Sequence, residues 1–280
     1  MPITTFWSNN EKAIGQTTTA SIVAITMAMN YNYKILLLSV DYDNNILEMS
    51  FGAQESNKKI LKDLGQTTQV NLGAGIEGLM KLANSNRVTP ELIHDYTKII
   101  FKNRLEVLYP LAKKEDDSTI EEEDIMEKMI NIINNASKYY DQVIIDLKKG
   151  KKYEQQLEIL KLSDVIVMNV DQRIDTIQEA LEMEAVQKHS RKIIWNICKY
   201  DKNSKYNSKN LLRTILKKEA LFKTPYNTLL SEATQEGRIV ELMLKFRTIK
   251  GNDEKFEIIT SSKELVEAIM MKYKQMRAII

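Results

Sequence analysis

A chain of 280 residues, 43% hydrophobic and 28% charged, is long enough to bury a large core and excludes a fibrous or disordered polymer. Its 40 Lys and Arg against 38 Asp and Glu leave a net charge of +2, so no global field draws it to nucleic acid or membrane, and any such binding needs a local patch. The 9 glycines, 4 prolines, 1 cysteine and 2 histidines, against roughly 20 glycines and 14 prolines at average usage, exclude collagen-like and low-complexity sequence, an internal disulfide and a Cys- or His-built metal site.

In chain order, Ile3–Trp7 predicts a first strand. Thr4, Asn9, Asn10 and Glu11 stand where a signal peptide would need an apolar core, and the longest apolar run, Ile35 to Leu38, is far short of a membrane span. The cytosol is the expected compartment. A loop then leads to a helix over Thr17–Met29, and Lys34–Val40 predicts a second strand that ends in Asp41-Tyr42-Asp43. A helix-rich stretch from Ile46 to Tyr96 contains a clear start at Thr89-Pro90-Glu91, with Thr as cap and Pro in the first position. Leu105–Leu108 reads as a short strand. The acidic patch Glu115 to Asp124 opens a helix with Ile125, Met129, Ile132, Ile133 and Ala136 on its apolar face, acid being favourable at a helix N-terminus.

Gln142–Leu147, Val165–Val170 and Lys192–Ile197 are continuous apolar runs of the kind that parallel strands make when both faces are covered. The tail predicts a strand over Phe256–Ile259 and a helix capped near Ser261 or Ser262, with Lys263, Lys272, Lys274 and Arg277 forming a solvated basic side. Alternation of this kind predicts one α/β domain over residues 1–280, a doubly wound, mostly parallel sheet. Gly73 to Gly78 matches G-x-G-x-x-G, but Thr67–Leu72 is a poor strand, so the segment reads as a loop opening a helix. Cys198, with no histidine near it in sequence, reads as a buried thiol.

The chemistry concentrates at strand ends. Between the first strand and first helix lies Ser8 to Thr18, placed where backbone N–H groups and a helix dipole hold an anion. It keeps Gly15 and Thr17-Thr18, and Gln16 stands where a phosphate loop has lysine. Asp41 and Asp43 close the second strand and Asp146 closes another; one carboxylate after each apolar strand suits a Mg²⁺ held through waters.

Together these segments resemble the ParA/MinD superfamily of P-loop ATPases with a deviant Walker A motif. There the loop reads roughly K-G-G-x-G-K-T-T, the second strand ends D-x-D and a third motif reads D-x-P-P-G. Here the counterparts are Glu11-Lys12-Ala13-Ile14-Gly15-Gln16-Thr17-Thr18, Asp41-Tyr42-Asp43 and Asp146-Leu147-Lys148-Lys149-Gly150. Asn196 to Asp201 is similar to the strand-end N-R-Y-D segment, and Thr224-Pro225-Tyr226-Asn227 with Glu232-Ala233 and Gln235-Glu236-Gly237 is similar to the segment that closes the nucleotide pocket. Within the superfamily the sequence is most similar to the TadZ/CpaE-like branch, which organises pilus and secretion assemblies, though the receiver-like N-terminal domain common there is not expected here.

The resemblance implies a P-loop NTPase-like fold, ATP and Mg²⁺ as cofactors, and a homodimer. It implies phosphate contacts from Lys12, Gly15, Gln16, Thr17 and Thr18, a base bordered by Asn196 and Pro225, metal contacts from Thr17, Asp41 and Asp146, and Asp43 as the residue orienting water. It implies a protein partner from a pilus, secretion or partition machinery, with non-specific DNA as a further surface and a membrane surface less favoured. The departures are physical. Glu11 falls on the signature lysine and would repel a triphosphate, Gln16 carries no charge, and two loop glycines have become Lys12 and Ala13. Hydrolysis is therefore expected to be weak or lost. An active DNA-partitioning ATPase and a nucleotide-free scaffold remain the alternatives.

Overall fold

Apolar runs too continuous for one-sided burial need cover on both faces, and here they have it. The structure, a computed structural model, describes residues 2–10, 13–40, 45–52, 76–83, 88–110, 122–147, 153–216, 220–249 and 254–278. Its strands are β1 (Ile3–Trp7), β2 (Ile35–Ser39), β3 (Lys98–Phe101), β4 (Leu105–Leu108), β5 (Gln142–Leu147), β6 (Val165–Val170), β7 (Ile193–Tyr200) and β8 (Leu221–Pro225). They form one eight-stranded sheet in the order β3-β4-β2-β5-β1-β6-β7-β8. All are parallel except β3, which runs antiparallel to β4 at the edge.

The helices are α1 (Gln16–Asn30), α2 (Ile46–Ser50), α3 (Ile76–Ala83), α4 (Pro90–Asp95), α5 (Glu122–Tyr139), α6 (Tyr153–Leu162), α7 (Ile174–Glu182), α8 (Glu184–Lys188), α9 (Ser208–Thr214), α10 (Thr228–Gln235), α11 (Ile239–Phe246) and α12 (Glu254–Arg277). Side chains alternate across each strand. Val143 and Ile145 of β5 therefore enter one core, with Leu79 of α3 and Met129 and Ile132 of α5. Ile144 enters the other, with Ile22 and Ile25 of α1, Met243 of α11 and Leu265 of α12. The same alternation turns Asp146, two residues beyond Ile144, toward α1.

From Gln16 to Ala28, every residue of α1 except Thr18 is buried. A helix covered on all sides has no need of an amphipathic pattern. Its outer side is closed by α12, where Thr26 Oγ1 donates to Ser262 Oγ at 3.0 Å. Thr89 caps α4 as its sequence predicts, accepting from the Leu92 backbone N–H at 3.4 Å, with Pro90 in the first turn.

The tail departs from expectation. Phe256–Ile259 is not a strand but the start of α12, and neither Ser261 nor Ser262 caps a helix. Both serines are buried within α12. Ile258, Ile259, Leu265, Val266 and Ile269 all enter the α1-side core, a helical repeat that a four-residue window cannot separate from a strand. Strands β3 and β8 are additions, and β7 runs on to Tyr200, beyond the predicted Ile197. The acidic patch Glu115–Asp124, apart from residues 122–124, and residues 73–75 of the glycine motif lie outside the described residues; Ile76 onward is helical.

Candidate functional site

The parallel strands end together along one edge of the sheet, and the first helix starts there. Gly15 is the N-cap of α1 with φ 99° and ψ 17°, in the left-handed region that glycine enters without steric cost. Among the described residues no side chain caps α1. The first helix bond is from Thr19 N–H to Gly15 C=O at 2.9 Å. The amides ahead of it form the positive end of a 15-residue helix, a ready site for an anion.

Below this turn lies a buried carboxylate. Asp146 is 1% exposed. Its Oδ1 accepts from Gln16 Nε2 at 2.7 Å, and its Oδ2 accepts from Thr17 Oγ1 at 2.7 Å. Gln16 Nε2 also donates to the Leu147 carbonyl at 3.1 Å. Bonds to an ionised group are the stronger kind, roughly 1.5–3 kcal/mol each. Register sets this up: β2 pairs with β5 so that Ser39 lies beside Asp146, both facing α1. Gln16 is 7% exposed, and its Oε1 has no partner among the described residues. A buried acceptor left over in this way is an unmet contact.

Two adjoining cavities open beside the turn. The smaller, about 190 Å³, is walled by Gly15, Thr18 and Thr19 on one side, Ile46 and Met49 of α2 on another, and Pro225, Leu230 and Thr234 opposite. The larger, about 560 Å³, runs from Tyr200 and Asp201 along Tyr226 to Leu229 and Glu257. Lys199, Pro225, Tyr226 and Asn227 line both, so they form one continuous groove. Tyr226 is 60% exposed at the junction. Asn227 caps α10, accepting from the Leu230 backbone N–H at 3.1 Å.

The structure brings together Gly15, Gln16, Thr17 and Asp146, and sets Thr18 and Pro225 in the groove wall. Asn196 does not reach the groove. It is fully buried, its Nδ2 donating to Asn169 Oδ1 at 3.0 Å and to Thr224 Oγ1 at 3.2 Å. It therefore supports Thr224, which lines the smaller cavity, from one layer behind. Lys12, Asp41 and Asp43 lie outside the described residues, as do Glu11, Lys148, Lys149 and Gly150. Cys198 is buried beside Thr19, and burial pushes its thiol up to about 12. Lys199, which its sequence context does not single out, also lines the groove; its placement over the loop depends on a backbone irregularity with no signature in composition.

These groups fit a magnesium-bound nucleotide. A left-handed glycine and the N-terminal amides of a long helix suit phosphate. Thr17 Oγ1 and the Asp146 carboxylate are hard oxygen donors of the type Mg²⁺ takes, and the orphaned Gln16 Oε1 adds a third oxygen beside them. An apolar wall at Pro225 and an exposed aromatic ring at Tyr226 suit a base.

The sheet order, with helices on both faces and a loop entering α1 at the strand ends, defines a doubly wound α/β fold. No protein-family model and no curated protein sequence matches the chain. Solved structures match over nearly its whole length. A ParA family ATPase from Chlorobium tepidum TLS superposes with a TM-score of 0.68 at 16% identity, covering 95% of this chain and 98% of that one. The MinC:MinD cell division protein complex of Aquifex aeolicus gives 0.63 at 18% identity, covering 95% and 96%. A plasmid partition-type protein from Borrelia burgdorferi B31 bound to AMPPNP gives 0.63 at 17% identity, covering 97% and 98%. At these identities the likeness is one of fold.

Proposed function

We propose that this protein is a ParA/MinD-like positioning or assembly factor that binds ATP with Mg²⁺ at the β1–α1 turn and hydrolyses it weakly or not at all. The observation that carries this reading is the Asp146 carboxylate held by Gln16 and Thr17 beneath a left-handed Gly15. Thr17 and Asp146 would hold the metal, with Asp41. The amides of Gly15 to Thr18 would hold phosphate, with Lys12, and Pro225 would border the base. Bound Mg²⁺ supplies charge neutralisation on the phosphates. Asp43 would orient water if turnover occurs.

Gln16 is the reason for expecting weak turnover. It hydrogen-bonds Asp146 as a lysine could, but it brings no charge to the phosphates, and preorganised charge is usually the largest single contribution to such a transition state. The degenerate loop and the similarity to the TadZ/CpaE-like branch favour a role in organising a pilus, secretion or partition assembly. A homodimer in the cytosol with a protein partner from that machinery is the expected working form. Non-specific DNA is a second candidate surface, through exposed Lys245 and Arg247. The AMPPNP held by the Borrelia protein and the MinC held by the Aquifex MinD support the nucleotide and the protein partner respectively. Among the described residues no helix is long and apolar enough to cross a membrane.

Titration with Mg²⁺·ATP tests the reading. At 100 times Kd the ligand stabilises the fold by about 2.7 kcal/mol, seen as a rise in the unfolding midpoint. No shift at millimolar ATP removes the nucleotide-binding reading and leaves the scaffold. Gln16→Lys is expected to tighten ATP binding and raise turnover. Fast wild-type turnover that Asp43→Ala abolishes would instead make the chain an active partition-type ATPase.

A further inference from the structure

Lys199 is the one exposed residue of β7. The pairing of β7 with β8 slips there: Ile197 lies opposite Lys223 and Tyr200 opposite Pro225, so three steps on one strand match two on the other. A bulge of this kind bends a strand and re-aims a side chain. Lys199 takes φ 51° within it, a left-handed conformation that residues with a Cβ avoid. The effect is to carry the lysine over the β1–α1 turn. Its Nζ donates to the Ala13 carbonyl at 2.8 Å. Its Cγ and Cε stand 3.6 and 3.7 Å from where a Cβ on Gly15 would project.

Three observations give this placement a chemical meaning. No carboxylate among the described residues pairs with Lys199; its partner is a neutral carbonyl, which uses one of its three donors. Among the described residues it is the only cation lining the smaller cavity, and it also lines the larger. The residue at the usual lysine position of the loop, Gln16, is uncharged and committed to Asp146.

Resting on the nucleotide reading of this site, we propose that Lys199 supplies the positive charge the loop lacks, its ammonium contacting the phosphates of a bound nucleoside triphosphate. The bulge serves to deliver the charge from β7, and Gly15 leaves room for the lysine stem to cross. Strain of this kind is tolerated where a site uses the conformation.

The test is equilibrium binding of ATP, pyrophosphate and adenosine to the full chain, with unfolding midpoints measured in parallel. Lys199→Met is expected to weaken ATP binding about tenfold while adenosine binding is unchanged, and Lys199→Arg is expected to keep most of the affinity. Lys199→Gly, at a φ that glycine adopts freely, is expected to hold or raise the unfolding midpoint while still losing ATP affinity, which separates ligand binding from a structural role. Wild-type ATP binding that Lys199→Met changes less than threefold overturns the assignment, as does an equal loss for ATP and adenosine. Pyrophosphate binding as tightly as ATP overturns the nucleotide as the ligand. Absence of any wild-type binding overturns this proposal together with the reading it rests on.

Discussion

Gly237→Ala is expected to be among the most disruptive single-methyl changes in this protein. Gly237 follows the last turn of α10 at φ 73°. Arg238 N–H reaches back to the Ala233 carbonyl at 2.8 Å, the helix-ending arrangement in which a left-handed glycine closes the last turn. A Cβ here would stand 2.6 Å from Gly52 Cα, 2.9 Å from Gly52 N and 3.2 Å from the Met49 carbonyl. All three are backbone atoms, so no side chain can turn aside. Left-handed strain contributes roughly 1–2 kcal/mol and overpacking roughly 1–3 kcal/mol, so about 2–5 kcal/mol in total. That corresponds to a fall of roughly 3–9 °C in Tm for a chain of this size.

The contact matters beyond stability. Gly52 lies one residue past Phe51, the C-cap of α2, and α2 and α10 supply Ile46, Met49, Leu230 and Thr234 to the walls of the smaller cavity. Forcing the two helices apart should widen it and weaken nucleotide binding as well. Gly15→Ala is the control. Its φ of 99° is also left-handed, but the nearest atoms to a Cβ are Lys199 side-chain carbons at 3.6 and 3.7 Å, so only the strain of roughly 1–2 kcal/mol applies. Urea unfolding monitored through Trp7 and Trp195 gives both values. A Gly237→Ala midpoint within about 0.5 kcal/mol of wild type, the range of ordinary surface changes, would refute the close-approach argument.

Cys198 is buried and its thiol is pushed up to about 12 by burial, so thiolate is scarce at pH 8 and maleimide should label the native chain only at the rate of unfolding; fast stoichiometric labelling without denaturant would contradict the burial. Tyr140 donates to the buried carboxylate of Glu106, which also accepts from Thr97 Oγ1 at 3.1 Å and pairs with His94 Nδ1 at 3.0 Å. Tyr140→Phe should cost roughly 1.5–3 kcal/mol, the value of a bond to a charged group. Burial, then the Glu106 bond, raise the Tyr140 hydroxyl above its ordinary 10.0. As pH rises past 10 the unfolded chain therefore releases this proton first, stability falls, and Tyr140→Phe should show a shallower loss there in alkaline unfolding curves.

Much of the fold is legible in sequence because its central strands have only one way to be stable. Gln142–Leu147 and Val165–Val170 are too apolar to tolerate water on either face, so helices must cover both sides, and their observed bounds are the predicted ones. At the sheet margins that constraint weakens. Leu221–Pro225 holds a lysine and ends in proline, and Ile99 of β3 is 51% exposed; a strand with one neighbour can carry such residues, so its composition no longer announces it. The candidate site divides in the same way. Asp146 is legible because a carboxylate near the end of an apolar strand lies at the crevice side of such a sheet, and its pairing beside Ser39 puts it under α1 next to Thr17. Asn196 lies near the end of the predicted strand, but β7 runs on to Tyr200 and Asn196 is consumed inside it by a side-chain ladder to Asn169 and Thr224. What brings Lys199 rather than Asn196 to the groove is a one-residue slip against β8. Composition and spacing describe what each strand buries; they carry no record of how two strands fall out of register, and here that slip sets Lys199 in the wall of the smaller cavity.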